Sequence, residues 1–480
     1  MGIKGFTKWQ TSDEVFAHRS RKLHTLRNED SACVVVDLMT RFDSIWHSLD
    51  QGGGISMEIL LEEIAKYLDR LFYHFEYVAV CMDTLSPVSK GVEQASRSKR
   101  SGAIPLGAQE RAVALEGKIV SALARLRVSR DVYRFVRKII VETIMKDYFI
   151  PKNSIGKKLY VMAHPDHPNV VQVVDKNGER HGRECPHVKE GDGQCVWMTE
   201  ALGHPTVIIS NDRDTEMMLF MMMVLRPDEM PQKLYHYRCN ERYTTFMGGN
   251  SRYKPSLAAT PTRFVPRVQV AEMFGAPTVH IKPNGKRGRE DTTPQPAKKR
   301  KKKLKKKKNS VYEMPLLDIR GVMETVFTSR DMVFHFVWLA FMFGCDFVHV
   351  TNWIKGISAD KVWEDWDESI KWVEVTGDGP YDVQVDAQAL VNFLEDCINR
   401  KSALVDLPKG PMEGRVQRPN ARMYKGTIKR TLWTMLYMIN GCTFPEAVPD
   451  PLEQDDGGLS VWGWRMLGGK VRETDVVTSV

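Results

Sequence analysis

Thr206-Val207-Ile208-Ile209-Ser210-Asn211 runs directly into Asp212-Arg213-Asp214, and the reading of that junction decides the fold. The run is short, rich in Val and Ile, and free of polar alternation. That is the pattern of a parallel strand buried on both faces. Three further apolar runs stop on an acid: Ala32-Cys33-Val34-Val35-Val36 on Asp37, Tyr77-Val78-Ala79-Val80-Cys81-Met82 on Asp83, and Phe341-Met342-Phe343-Gly344-Cys345 on Asp346. The last belongs to a longer apolar stretch and reads as helical. In open α/β sheets ligands sit beyond the carboxyl ends of the strands. Aspartates placed there repeatedly converge on one crevice, where they repel one another unless cations stand between them. The pattern therefore points to a site for divalent metal.

The rest of the composition sets bounds. The chain has 480 residues, 42% hydrophobic and 27% charged, which suits a globular protein of two or three domains. Its formal charge of +9 is concentrated: Lys298 to Lys308 reads KKRKKKLKKKK, and removing those ten charges leaves −1. Any basic surface for nucleic acid must come from local clustering. The eight cysteines are scattered, and the first thirty residues contain no apolar signal region, so reduced thiols in an intracellular protein are expected. His181, Cys185, His187 and Cys195 lack the C-x-x-C or H-x-x-x-H spacing of a zinc site and read as a polar loop. Met332 to Val348 is apolar, but it carries His335 and Asp346 and is at the short limit for a membrane span, so it reads as buried core. Met1-Gly2 is followed by Phe6 where a myristoylation signal needs Ser or Thr.

Along the chain, residues 1–255 form one α/β unit. Ser56 to Phe72 has helical apolar spacing after the first strand, and a basic segment from Ser89 to Gly107 follows the second. A long helical pattern runs from about Ala108 to Tyr148. Val170 to Val174 followed by Asp175-Lys176-Asn177-Gly178 is a hairpin signal, in a stretch (160–188) that reads as an insertion. Residues 256–310 turn rich in Pro, Thr, Gly and Lys and read as a disordered basic insert. Lys298, Lys299, Arg300, Lys301, Lys302 and Lys303 open its basic run, which reads as a nuclear-import signal or a nucleic-acid tether. Residues 311–375 complete the core. There Lys355-Gly356-Ile357-Ser358 leads into Ala359-Asp360-Lys361, a helix–hairpin–helix pattern whose free N–H groups suit phosphate. Residues 376–480 form an extension without recognisable chemistry.

Two more acids join the set, because a helix starting at Glu190 would bring Glu190 and Asp192 to the same sheet edge. The candidate metal ligands are then Asp37, Asp83, Glu190, Asp192, Asp212, Asp214 and Asp346. All-oxygen donors of this kind suit Mg²⁺ or Mn²⁺, and a pair of such ions serves phosphodiester cleavage. Taken singly, each strand-end aspartate is as well read as a helix cap.

The ordered set resembles the flap endonuclease/XPG-type structure-specific 5′ nucleases. Met1-Gly2-Ile3-Lys4-Gly5-Phe6-Thr7-Lys8-Trp9 is similar to the N-terminal signature of that family, and Asp37 and Asp83 match its first two strand-end acids. Lys90 with Arg97 and Arg100 resembles its basic set, Glu190 and Asp192 its paired glutamates, Asp212-Arg213-Asp214 its D-x-D, and Gly344-Cys345-Asp346 its G-x-D ahead of a helix–hairpin–helix. The resemblance covers residues 1–255 and 311–370. It implies a PIN-like three-layer fold with a mostly parallel central sheet, a helical arch over about 89–150 and a helix–hairpin–helix module. It also implies two Mg²⁺ ions, replaceable by Mn²⁺, and hydrolysis of branched or flapped DNA in replication, repair or recombination. Lys90, Arg97 and Arg100 would act on the scissile phosphate. Gly2, Lys355, Gly356, Ser358 and Lys361 would contact nucleic acid, DNA in preference to RNA.

Several positions depart from the family pattern. Glu190-Gly191-Asp192 replaces a Glu/Glu pair, Asn211 stands where an acid often precedes the D-x-D, and Ser358-Ala359 replaces the second hairpin glycine and its neighbour. No sliding-clamp motif is present near the C-terminus. A monomeric nuclear enzyme without membrane contact is expected. The alternatives are an Xrn-type 5′→3′ exoribonuclease on the same fold and a catalytically weak relative that binds nucleic acid or partner proteins.

Overall fold

Cys33–Asp37 is buried along its whole length in the middle of a nine-stranded mixed sheet. In the computed structural model the described residues are 6–20, 32–39, 57–82, 156–162, 173–175, 177, 179–181, 191–238, 316–345, 359–375, 383–386, 389–390, 392–394, 396–397, 431, 464–467 and 470–473. In chain order the first elements are α1 (Thr7–Gln10), α2 (Asp13–Ala17), β1 (Arg19–Ser20), β2 (Cys33–Asp37), α3 (Met57–His74), β3 (Tyr77–Cys81) and β4 (Lys158–Met162). Then come β5 (Val173–Asp175), β6 (Arg180–His181), α4 (Gly191–Leu202), β7 (Thr206–Ile209), α5 (Arg213–Leu225) and β8 (Leu234–Tyr237). The remainder are β9 (Leu316–Asp318), α6 (Ile319–Thr325), α7 (Arg330–Met342), α8 (Ala359–Glu364), and two hairpins, β10 (Val373–Val375) with β11 (Val383–Val385) and β12 (Trp464–Leu467) with β13 (Lys470–Glu473).

The sheet order is β1-β9-β8-β7-β2-β3-β4-β5-β6. Its centre, β8-β7-β2-β3-β4, is parallel throughout. Antiparallel strands close both flanks: β9 and β1 on one side, the β5–β6 hairpin on the other. The apolar runs at 32–37, 77–82 and 206–211 thus form neighbouring parallel strands, and the hairpin signal after residue 170 becomes a sheet edge. Following the chain, the parallel strands step outward from β2 to β4 and then reappear on the other side of β2 as β7 and β8. The order therefore reverses between β2 and β7, which is the switch point where an α/β sheet opens a crevice.

Burial on both faces explains the unalternating sequence of these strands. Cys33, Val35, Ala79, Cys81 and Ile208 join one core with α4, α5 and α7. Val34, Val36, Val78, Val80, Val207 and Ile209 are as deeply buried but lie outside that core. They belong to the other face, where α3 packs on β3 and buries Ile64, Leu68, Leu71 and Phe72 at helical spacing.

Helix α7 is buried from Val333 to Met342, including its central His335. A helix apolar on every side belongs in a core or a membrane, and among the described residues no helix is long and apolar enough to cross a membrane. The helix contains Phe341 and Met342 and stops before Gly344, whose φ of 119° is a backbone setting that side chains disfavour. Two residues near the N-terminus anchor on it: the Phe6 and Trp9 rings lie 4.6 and 4.4 Å from that of Phe336. Phe6 holds a left-handed φ of 52°, unusual for an aromatic residue, with its side chain buried.

His335 ties α7 to the next layer. Its Nδ1 lies 2.6 Å from the Asp331 carbonyl, and its Nε2 faces the backbone N–H groups of Trp372 and Val373 at 3.1 and 3.4 Å. Those partners assign the neutral tautomer, with Nδ1–H donating and Nε2 accepting. Burial is the main reason its pKa falls below the usual 6.5, and Lys371 adds repulsion. Because the folded pKa is depressed, the unfolded chain takes up this proton first as pH drops through 6.5, so stability falls with acidification. We expect denaturant midpoints to decline between about pH 7.5 and 5.5, and His335→Gln to decline less steeply by up to about one proton. Equal slopes for the two proteins would remove His335 from the linkage.

Candidate metal centre

Four of the sequence-predicted acids stand at the carboxyl ends of the central strands. Asp37 ends β2, Asp212 and Asp214 follow β7, and Asp192 lies in the first turn of α4, the helix leading into β7. One carboxylate oxygen each from Asp192, Asp212 and Asp214 lies within 4.8 Å of the other two. Asp214 is 1% exposed, and Asp37 and Asp192 are 9% exposed, so little water screens their repulsion.

Local geometry fixes each side chain. Asp212 is the N-cap of α5, with Oδ1 accepting the Asp214 N–H at 3.2 Å. The helix-cap role and the cluster role thus coexist in one residue. Ser210 Oγ accepts the Asp212 N–H and pairs with Thr215 Oγ1, both at 3.1 Å, which holds the turn from β7 into α5. Asp37 Oδ1 accepts the Met39 N–H at 3.0 Å, and Asp192 Oδ1 the Gly193 N–H at 2.9 Å. Carboxylates at helix N-termini are also favoured by the exposed amide dipoles there.

Beneath the acids lie thiols. Cys195, one turn after Asp192, contacts Cys81, and burial together with Cys81, Asp37 and Asp192 pushes its pKa well up. It is an inert core thiol, and His181 from the weighed zinc set sits elsewhere, on β6. Gln194 faces the sheet as well: its Oε1 accepts the Met82 N–H at 2.9 Å and fixes the chain at the end of β3, one residue before Asp83.

A second group of possible ligands, Asp175, Glu179 and His181, marks the far edge of the sheet. The hairpin accounts for it. Asp175 Oδ1 accepts the N–H groups of Asn177 and Glu179 at 2.8 and 2.9 Å, and Oδ2 lies 3.1 Å from His181 Nε2.

Lys361 lies on α8, half-exposed, with Asp365 and Glu364 at 3.4 and 3.5 Å. Asp83, Glu190, Asp346, Lys90, Arg97, Arg100, Gly2, Lys355, Gly356, Ser358 and the run Lys298–Lys303 lie outside the described residues. Sequence reading missed a second cluster at this end of the sheet. Glu216, buried in α5, has His236 Nδ1 at 3.0 Å, Arg238 Nε at 3.2 Å and the Gln10 amide donating at 3.0 Å. Burial raises the Glu216 pKa, but Arg238, His236 and Arg19 outweigh it and hold the carboxyl well below its usual range. No local motif announces this set, because its members come from four separate elements.

The donor set fits a hard divalent cation: the three clustered groups are all carboxylates, and the nearby thiol is buried and protonated. We expect Mg²⁺ or Mn²⁺ to raise the melting temperature progressively with concentration, by the equivalent of about 2.7 kcal/mol at a hundredfold excess over Kd, and EDTA to reverse it. Asp214→Asn should melt higher than the wild type without metal and respond little to added metal. A metal response unchanged in that variant would count against the site. Gln194→Met leaves the buried Met82 N–H without its acceptor and should cost about 1–3 kcal/mol in denaturant unfolding.

In comparisons with known proteins, the chain matches no protein-family model and no curated protein.

Proposed function

We propose that the chain is a divalent-metal-dependent 5′ nuclease of the flap endonuclease/XPG type, which hydrolyses phosphodiesters in branched or flapped DNA. The observation that carries this reading is the meeting of Asp192, Asp212 and Asp214 at the switch point of the parallel sheet, with Asp37 ending the adjacent strand. Carboxylates so close are best explained as ligands for cations, and a crevice beyond the strand ends admits a polymer backbone.

In this reading the fold is PIN-like, and Asp37, Asp192, Asp212 and Asp214 share two Mg²⁺ ions with Asp83, Glu190 and Asp346. Such ions lower the pKa of bound water and stabilise a leaving oxygen in phosphodiester cleavage. The chain's own part is to fix the ligands: α5 is capped by Asp212, the strand end before Asp83 is held by Gln194, and the loop after Asp37 is turned by its carboxylate. Lys90, Arg97 and Arg100, within an arch over about 89–150, would meet the scissile phosphate. The helix–hairpin–helix, whose second helix corresponds to α8 with Lys361, would hold duplex backbone. One contact supports placing that module beside the N-terminal signature: Asp360 Oδ1 accepts the N–H groups of Lys8 and Trp9 at 3.0 and 3.1 Å. The basic run Lys298–Lys303 would direct the protein to the nucleus.

The test incubates purified protein with labelled 5′-flap DNA, matched linear DNA and 5′-monophosphate RNA, in Mg²⁺ or EDTA. Flap cleavage in Mg²⁺ alone is expected, and Asp212→Asn, which keeps a capping side chain, should reduce it by at least about a hundredfold. Cleavage of RNA alone would replace this reading with the exoribonuclease one. Wild type and Asp212→Asn equally inactive on every substrate would replace it with a binding role.

A further inference from the structure

Arg19 is the least explained charge in the described structure. It stands on the edge strand β1 yet is 4% exposed, and among the described residues none of its three guanidinium nitrogens has a hydrogen-bond partner. A buried guanidinium carries five donors in a plane, and leaving them unmet costs far more than leaving a neutral group unmet. The carboxylate nearest in charge, Glu216, is already occupied: one oxygen faces His236 and Arg238, and the other accepts from Gln10. Arg238 is 11% exposed and donates to Gln10 Oε1 at 3.3 Å. Within this buried set two guanidinium groups face one carboxylate, while burial holds His236 toward its neutral form. One positive charge is in excess.

The position of the excess charge matters. Sheet register places Arg19, Leu317, His236, Ile208 and Val35 side by side in one lateral row. The row lies just short of the carboxyl ends at which Asp37 and Asp212 stand. Helix α5 joins the two charge sets, since its first turns carry Asp214 of the acidic cluster, Glu216 of the cationic one, and Arg213 between the two aspartates. Arg238 and Arg213 both repel Arg19, and the Arg19–Arg238 pair has only the saturated Glu216 carboxylate within the buried set.

We propose that Arg19, with Arg238, forms a cationic subsite that takes a phosphate-type oxyanion, linked to the carboxylate cluster through α5. A tetrahedral oxyanion matches the planar donor fork of arginine and supplies the missing negative charge. The proposal deepens the nuclease reading and rests on it for its substrate: the oxyanion is a phosphate group of the bound strand, or free phosphate of the same chemistry. A guanidinium serving only as counter-charge to Glu216 would bind no anion.

The experiment uses the full chain in EDTA, so that no metal recruits the anion. Inorganic phosphate is titrated by calorimetry and thermal melting at constant ionic strength, with chloride as the matched control. Saturable binding to the wild type is expected, weakened by about tenfold or more in Arg19→Lys and in Arg238→Lys, because an ammonium replaces the bidentate fork. Asp214→Asn should bind phosphate at least as tightly as the wild type while losing its response to metal, which separates this proposal from the metal reading. Displacement of phosphate by a short 5′-phosphorylated strand, but not by its 5′-hydroxyl form, assigns a terminal phosphate. Displacement by both assigns an internal one, and by neither, free phosphate. No phosphate effect beyond chloride in the wild type, or equal affinity in folded Arg19→Lys, overturns the proposal.

Discussion

A strand covered on both faces has no place for charge except at its ends. From Cys33 to Val36 every side chain of β2 is sealed under one helical layer or the other, and Asp37 is the first position where a carboxylate meets space. The same constraint acts on β7, whose acids begin only after Ser210 and Asn211. The parallel centre therefore does two things at once. It supplies the apolar burial that stabilises the sheet, and it drives every charged group of these strands to a common rim. Helices α4 and α5 start at that rim, so their free N–H groups turn toward the carboxylates and not away from them.

The features that were legible in the sequence are those with a local signature. The buried strands, the α3 helix and the hairpin after residue 170 each announce themselves through spacing within a few residues. So do Asp37, Asp212 and Asp214, because each follows an apolar run, whereas Asp192 is reached only through the helix expected from Glu190. Helix α4 is a harder case: Gly191 and Gly193 lower helix propensity in its first turn, yet packing of Asp192, Gln194 and Cys195 against the sheet overrides them. Wholly hidden from sequence was the contact of Gln10, Glu216, His236 and Arg238, and the charge of Arg19 near it. Its members span more than two hundred residues and follow no period. The three-residue strand β9 and two-residue β1 were equally hidden, since strands so short carry no alternation to read.

The start of the chain depends on contacts made hundreds of residues later. Helix α1 has four residues, too few to hold itself together. Asp360 accepts two of its N–H groups, and the aromatic face of α7 buries Phe6 and Trp9 on the other side. The Phe6 backbone adopts its left-handed setting between these two anchors.

The central strand also imposes an order on biosynthesis. β2 pairs with β3 on one side, but its other partner, β7, begins at Thr206, about 170 residues further on. At translation rates of about 5–20 residues per second, the growing chain carries that open, valine-rich edge for roughly 10–30 s before its neighbour exists. An N-terminal fragment ending before Asp212 thus has an unsatisfied sheet edge and an incomplete acidic rim together. β7 both covers the open side of β2 and leads directly into Asp212 and Asp214, so these carboxylates are not delivered before the edge of the central strand has its partner.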